Sequence, residues 1–149
     1  MAEILRWILP GRVIHRMALG TISINDFFEA NLVQKQMMKA VPHKVYIIFE
    51  VQEVSHYPTS IRELRAAADP LYDDHVPDTF SIFVGAGALL RLIIDTSAMI
   101  FDLNFHHVKT LEEAIQYLQK LDPSLGYDQW IRQDDGSGIV IDSSGQILG

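Results

Sequence analysis

Val45-Tyr46-Ile47-Ile48-Phe49 is a β-prone run without polar alternation. A strand with one wet face alternates apolar and polar residues, so an unbroken run belongs to a strand covered on both faces. This run therefore reads as a central strand. Helical periods flank it on both sides. Ahead of it, Phe27, Ala30, Val33, Met37 and Val41 recur at helical spacing, with Ser23 and Asp26 as an N-cap pattern and Pro42 as the stop. Behind it, Ser60 with Glu63 reads as a capping box for a short helix through Leu64 to Ala68. That helix ends before Asp69-Pro70, because a residue preceding proline disfavours helical backbone.

The remaining elements fall around this centre. Ile4 to Leu9 and Val13 to Leu19 are apolar runs joined by Pro10-Gly11-Arg12, which predicts an opening hairpin whose second strand is broken by Gly20. Tyr72 to Pro77 reads as a loop and Phe80 to Val84 as a buried strand. Gly85-Ala86-Gly87 is a tight turn, Ala88 to Phe101 a helix apolar almost all round, and Phe105 to Val108 a fifth strand. Thr110 with Glu113 makes a second capping box, and Leu111, Ala114, Ile115, Leu118 and Leu121 form one face of a last helix ending at Asp122-Pro123. The order β-β-α-β-α-β-α-β-α predicts an α/β domain over residues 1–122, a mixed, mostly parallel five-stranded sheet with four helices. Residues 123–149 turn to Gly, Ser, Asp and Gln. This tail carries Trp130 and two apolar clusters, Ile139-Val140-Ile141 and Ile147-Leu148, which a turn at Asp142 to Gly145 would fold into a short hairpin in need of a surface.

Composition bounds the function. A chain of 149 residues buries roughly 68–70% of its unfolded surface and builds a core without disulfides or structural metal. Zero cysteines exclude disulfides, thiolate zinc sites and cysteine nucleophiles. Twelve Lys and Arg against nineteen Asp and Glu give −7, which argues against nucleic acid as partner. The first nine residues lack the pattern of a signal peptide, and the long apolar stretch Phe80 to Phe101 is interrupted by Arg91 and Asp95. A charge at the bilayer centre costs at least about 2.5–3.5 kcal/mol, so no membrane span is expected, and the cytoplasm is the expected compartment.

Several strings, in this order, carry a family resemblance over roughly Ile4 to Leu121. They are Pro10 to Val13 in the hairpin, Val54-Ser55-His56-Tyr57-Pro58-Thr59-Ser60-Ile61-Arg62-Glu63-Leu64-Arg65 at a strand-to-helix joint, Val84 to Arg91, and Thr110 to Ala114. The sequence resembles the SpoIIAA-like branch of the STAS superfamily, which includes the anti-sigma-factor antagonists of bacteria. The resemblance implies a non-enzymatic regulatory module that acts through protein contacts. In phospho-regulated relatives the joint carries an aspartate followed by two hydroxyl residues, the first of them phosphorylated. Here Pro58 replaces the aspartate, so the resemblance makes Thr59 and Ser60 candidate phosphorylation sites without the usual local charge. Ile141-Asp142-Ser143-Ser144-Gly145 spells the same string near the C-terminus, where no helix can follow it.

The residues themselves give each candidate a plainer alternative. Ser60 is also an N-cap. Tyr57, Pro58, Arg62 and Arg65 form a candidate partner-binding surface, although the two arginines equally suit the solvated face of a short helix. His106-His107, with His75 and Asp73-Asp74, is the nearest approach to a metal cluster; adjacent strand histidines point to opposite faces, so no metal or other cofactor is expected. No nucleophile stands legibly beside a base, and an enzyme is not expected. On the helix from Ala88, Arg91 and Asp95 make a narrow polar line, while Leu89, Leu92, Ile93, Met99 and Ile100 form a candidate oligomer or apolar-ligand surface. Three functions follow. The leading one is a protein-interaction module that self-associates and binds an unidentified protein partner; the others are a carrier of a small lipid-like ligand and a self-assembling subunit using the tail.

Overall fold

Why the central run is apolar on both sides is visible in the sheet. The computed structural model describes residues 3–72, 79–126, 130–131 and 139–141. Its elements are β1 (Glu3–Leu9), β2 (Val13–Thr21), α1 (Ile24–Lys39), β3 (Val45–His56), α2 (Ile61–Ala68), β4 (Thr79–Val84), α3 (Ala88–Phe101), β5 (Phe105–Val108), α4 (Leu111–Leu121) and β6 (Ile139–Ile141). The strand order is β5-β4-β3-β2-β1-β6. β2, β3, β4 and β5 pair in parallel, while β1 runs antiparallel to both β2 and β6. The expected five strands and four helices form in the expected chain order, and β6 adds a sixth strand.

Alternation along the strands divides the core in two. Val13, Tyr46, Ile48, Ile82 and Val84 face Ala114, Ile115 and Leu118 of α4, together with Leu125 and Trp130. Ile14, Val45 and Ile47 face Met38 of α1, while Leu5 meets Ala30 and Val33, and Ala18 and Ile22 meet Phe27 and Phe49. Ile47 and Ile48, neighbours in sequence, are both buried but on opposite faces. A fully buried side chain of this size contributes about 1.5–3 kcal/mol, so both faces of β3 must be roofed for the strand to form.

Local chemistry sets the element ends, with several departures from the sequence reading. Gly20 does not end β2. It takes a positive φ of 68°, and the β2–β3 register shifts around it, so the strand bulges and continues. β3 runs on to His56 because Val51 stays buried while Gln52 and Glu53 emerge, the pattern of a strand passing from two covered faces to one. Gly85 has φ 76°, and a Cβ there would stand 2.6 Å from the Gln52 Cβ, so both backbone and packing require glycine.

The reciprocal capping box forms at Ser23 and Asp26. At Ser60 and Thr110 only the hydroxyl half forms, and the Glu113 carboxylate accepts instead from the Lys109 N–H. α1 stops at Lys39, short of Val41. After α2 the chain tightens into a 3-10 turn over Asp69–Tyr72 that passes through Pro70. Past α4, Leu125 and Trp130 join the core, the Ile131 N–H donates to the Ile8 carbonyl at 2.7 Å, and Ile139–Ile141 pairs with β1. The expected tail hairpin is thus replaced, for its first cluster, by pairing with the protein's own sheet edge. Ile147-Leu148, the Asp142 to Gly145 string, and His75 with Asp73-Asp74 lie outside the described residues.

Candidate functional site

His15 and Arg16 interrupt an otherwise apolar β2 and, being adjacent in a strand, point to opposite faces. On the α4 side, Arg6 donates from Nε to His15 Nδ1 at 3.1 Å. His15 Nε2 therefore carries the proton and meets Glu50 Oε2 at 2.7 Å. Gln52 reaches Glu50 Oε1 at 3.5 Å. All three ionisable groups are buried and joined by hydrogen bonds.

Under the helices of the other face the arrangement is incomplete. Arg16 donates from Nε to Glu3 Oε1 at 2.5 Å and from Nη1 to Asn31 Oδ1 at 2.8 Å and Gln34 Oε1 at 2.7 Å. Asn31 and Gln34 share one face of α1 because they are three residues apart. The guanidinium also lies 4.3 Å from the Phe49 ring centre. The ion pair is almost wholly dry, with side-chain exposures of 3% for Arg16 and 1% for Glu3. Yet Arg16 Nη2, Glu3 Oε2 and Asp26 Oδ1 have no partner among the described residues. Burial pushes the Glu3 carboxyl above its ordinary value; the Arg16 charge and hydrogen bond oppose that rise, and Asp26 adds to it.

Arg16 lies at the edge of a cavity of about 210 Å³. Ile47, Phe49 and Val51 of β3 and Ser81 and Phe83 of β4 make its floor, and Phe27, Asn31 and Gln34 of α1 one wall. Leu64 and Ala68 of α2 with Tyr72 make another wall, and Leu90, Ile93, Ile94 and Ser97 of α3 cover it. The lining is overwhelmingly apolar. A cavity of about 150 Å³ holds benzene, so this one has room for a small apolar molecule. Ser97 Oγ, buried like Arg16, also lacks a partner among the described residues.

The anticipated site residues divide between the two sides of this wall. Tyr57 and Pro58 line the cavity, half-buried, whereas Arg62 and Arg65 are exposed on α2. Thr59 is exposed, and Ser60 is the N-cap of α2, its hydroxyl accepting the Glu63 N–H at 3.2 Å. Of the five α3 residues, Leu89, Leu92, Met99 and Ile100 face outward, Met99 at 86% exposure and Leu92 at 62%. Ile93 belongs to the cavity instead. Asp95, expected beside Arg91, accepts from His107 Nε2 at 2.9 Å and so ties α3 to β5. His106 turns the other way and stacks on Tyr117 at 4.1 Å. Among the described residues no three His, Asp or Glu side chains converge as a metal site, and no helix is long and apolar enough to cross a membrane.

Glu3, Arg16, Asn31 and Gln34 were not anticipated. Their one sequence signal is a charged residue inside an apolar strand; partners 13 to 18 residues away carry no spacing rule.

No protein-family model and no curated protein matches the sequence. The chain is similar to a solved structure of the anti-sigma factor antagonist SpoIIAA in its unphosphorylated form, at 17% identity and a TM-score of 0.45, over 79% of this chain and 98% of that one.

Proposed function

We propose that this domain is a non-enzymatic binding module that takes a small apolar molecule into the cavity between the sheet and the α2–α3 cover. The observation that carries the reading is the cavity itself, about 210 Å³ with an apolar lining, beneath a helix that is apolar on both its inner and outer faces. Burying apolar ligand surface there contributes about 25 cal/mol per Å² before the costs of association. Thermal unfolding with added benzene or toluene tests it. A ligand at about a hundred times its dissociation constant adds about 2.7 kcal/mol, so the midpoint should rise with concentration. A midpoint indifferent to every apolar additive would contradict the reading.

A second reading, a protein contact, is favoured by the outward stripe of α3. Leu89, Leu92, Met99 and Ile100 are large, apolar and exposed on one helix, and such patches mark contact sites. On this reading the domain self-associates or docks an unidentified partner along α3 and the neighbouring joint, and a phosphate on exposed Thr59 adds charge beside Arg62 and Arg65 to re-aim that contact. Native mass spectrometry checks it: an oligomer that Leu92→Gln with Met99→Gln returns to monomer supports the contact, and a monomer at all concentrations removes the self-association. Unchanged partner binding in Thr59→Glu removes the switch.

A further inference from the structure

Resting on the cavity reading, we infer that the occupant is a neutral molecule with one aromatic ring, held face-down on the ring edges of Phe49 and Phe83. Strand register sets these rings in a row. Arg16 on β2, Phe49 on β3, Phe83 on β4 and His107 on β5 are direct neighbours across four parallel strands. The Arg16 guanidinium covers one face of Phe49 at 4.3 Å from the ring centre. From the opposite side Phe83 stacks on Phe49, with ring centres 5.8 Å apart and planes at 25°, and His107 follows at 5.8 Å from Phe83. The ring faces are thus taken up along the row, and the surface turned up from the sheet toward the cavity is ring edge.

The free space of the cavity reaches these two rings. Ile47, Ile48 and Glu50 are buried, whereas Phe49 among them keeps accessible surface, and Phe83 does the same between buried Ile82 and Val84. Both rings line the cavity. Neither end of the row offers a free charge to an occupant, since Arg16 is paired with Glu3 and His107 with Asp95. A ring edge is the positive end of the aromatic quadrupole and a ring face the negative end. Two edges aimed into an enclosed apolar space are therefore matched by an aromatic face, and a saturated hydrocarbon has nothing equivalent. Phe27 of α1 and Tyr57 of the joint add ring surface around them. Set against about 150 Å³ for benzene, the volume suits one ring with a short alkyl substituent.

Ethylbenzene and ethylcyclohexane, equal in carbon count, separate ring chemistry from burial. Each is titrated into the full chain, and its affinity is divided by its own partition from water into hexadecane. The corrected affinity of ethylbenzene should be about two- to tenfold higher, the range of an edge-to-face contact. Equal corrected affinities would overturn the aromatic assignment and leave the cavity reading standing, whereas binding of neither would remove both. Phe49→Leu with Phe83→Leu keeps the floor apolar and should erase the preference while ethylcyclohexane still binds; a preference that survives there would overturn the role of these rings. The unsubstituted chain gives a second readout that needs no variant to fold. Edge protons of Phe49 and Phe83 beneath the ligand's ring face should move upfield in NMR spectra with ethylbenzene and stay in place with ethylcyclohexane. Edge protons unmoved by bound ethylbenzene would overturn the face-down geometry.

Discussion

The two faces of the sheet bury the same kinds of residue to different ends. On the α4 face, Arg6, His15 and Glu50 form a hydrogen-bonded chain, and Ile115 and Leu118 fill the space above β3 and β4. On the α1–α3 face, Arg16, Glu3 and Asp26 each leave an atom without a partner among the described residues, and a cavity of about 210 Å³ remains beside them. Gln119 Nε2 and Trp130 Nε1 on the α4 face also lack partners among the described residues, so what sets the second face apart is the apolar room it leaves. Two polar residues side by side in one strand, His15 and Arg16, thus enter different surroundings, one beneath α4 and the other at the cavity.

The largest effect should come from breaking the ion pair on the open face. Arg16→Met leaves the Glu3 carboxylate dry and alone, and denaturant unfolding should show a loss of about 3–5 kcal/mol. Adding Glu3→Gln to it should recover most of that loss, since removing both charges removes the stranded one.

Added volume sharpens the contrast between the faces. Ala114→Leu enlarges a fully buried residue in the filled α4 core and should cost about 1–3 kcal/mol by the same measurement. Ser97→Leu, at a residue that lines the cavity and deleting an unpartnered hydroxyl, should hold stability within about 0.5 kcal/mol or raise it, and should abolish ligand-induced stabilisation. Equal losses in the two variants would mean that the faces are packed alike.

At the sheet edge, a chain ending at Ile131 uncovers the β1 edge that β6 covers. Size-exclusion chromatography should then show concentration-dependent self-association, the usual fate of a free strand edge. An unchanged elution volume would assign no protective role to β6.

The smallest expected effect is in acid. The Asp122 carboxyl is held below its ordinary value of 3.8 chiefly by the Ser124 hydroxyl at 2.6 Å, with Tyr46 helping at 2.9 Å and burial opposing. A lowered carboxyl stabilises the fold above its unfolded value, and that part is lost as pH falls through the folded value. Ser124→Ala should flatten this acid limb. The Glu3 carboxyl, raised by burial, works in the opposite sense: its contribution is full below 4.5 and lost as pH climbs through the raised value.

Elements with a local cause were legible. Val45 to Phe49 announced its two roofs, and α3, β5 and α4 fall where periodicity and caps place them. What was not legible depends on distant pairing. β6 is a strand only because β1 offers an edge more than a hundred residues away, and nothing in Ile139-Val140-Ile141 distinguishes that edge from a neighbour's or from a tail hairpin. The bulge at Gly20 likewise depends on β3 as partner, so a glycine read locally as a breaker continues the strand. At the site, the joint and α3 were singled out, but which of their residues turn inward was not. Tyr57, Pro58 and Ile93 face the cavity because α2 and α3 pack beside each other over β3 and β4, a tertiary fact. Arg16, buried beside the cavity, showed only as a charge out of place.

Isoleucine-methyl NMR under xenon pressure tests the central claim most directly, because xenon enters dry apolar cavities without needing a head group. Ile47 and Ile48 are the internal comparison, adjacent in β3 and on opposite faces. The account predicts saturable shifts at Ile47, Ile93 and Ile94 and none at Ile48, Ile82 or Ile115. Shifts of equal size at Ile47 and Ile48, or none at either, would contradict it.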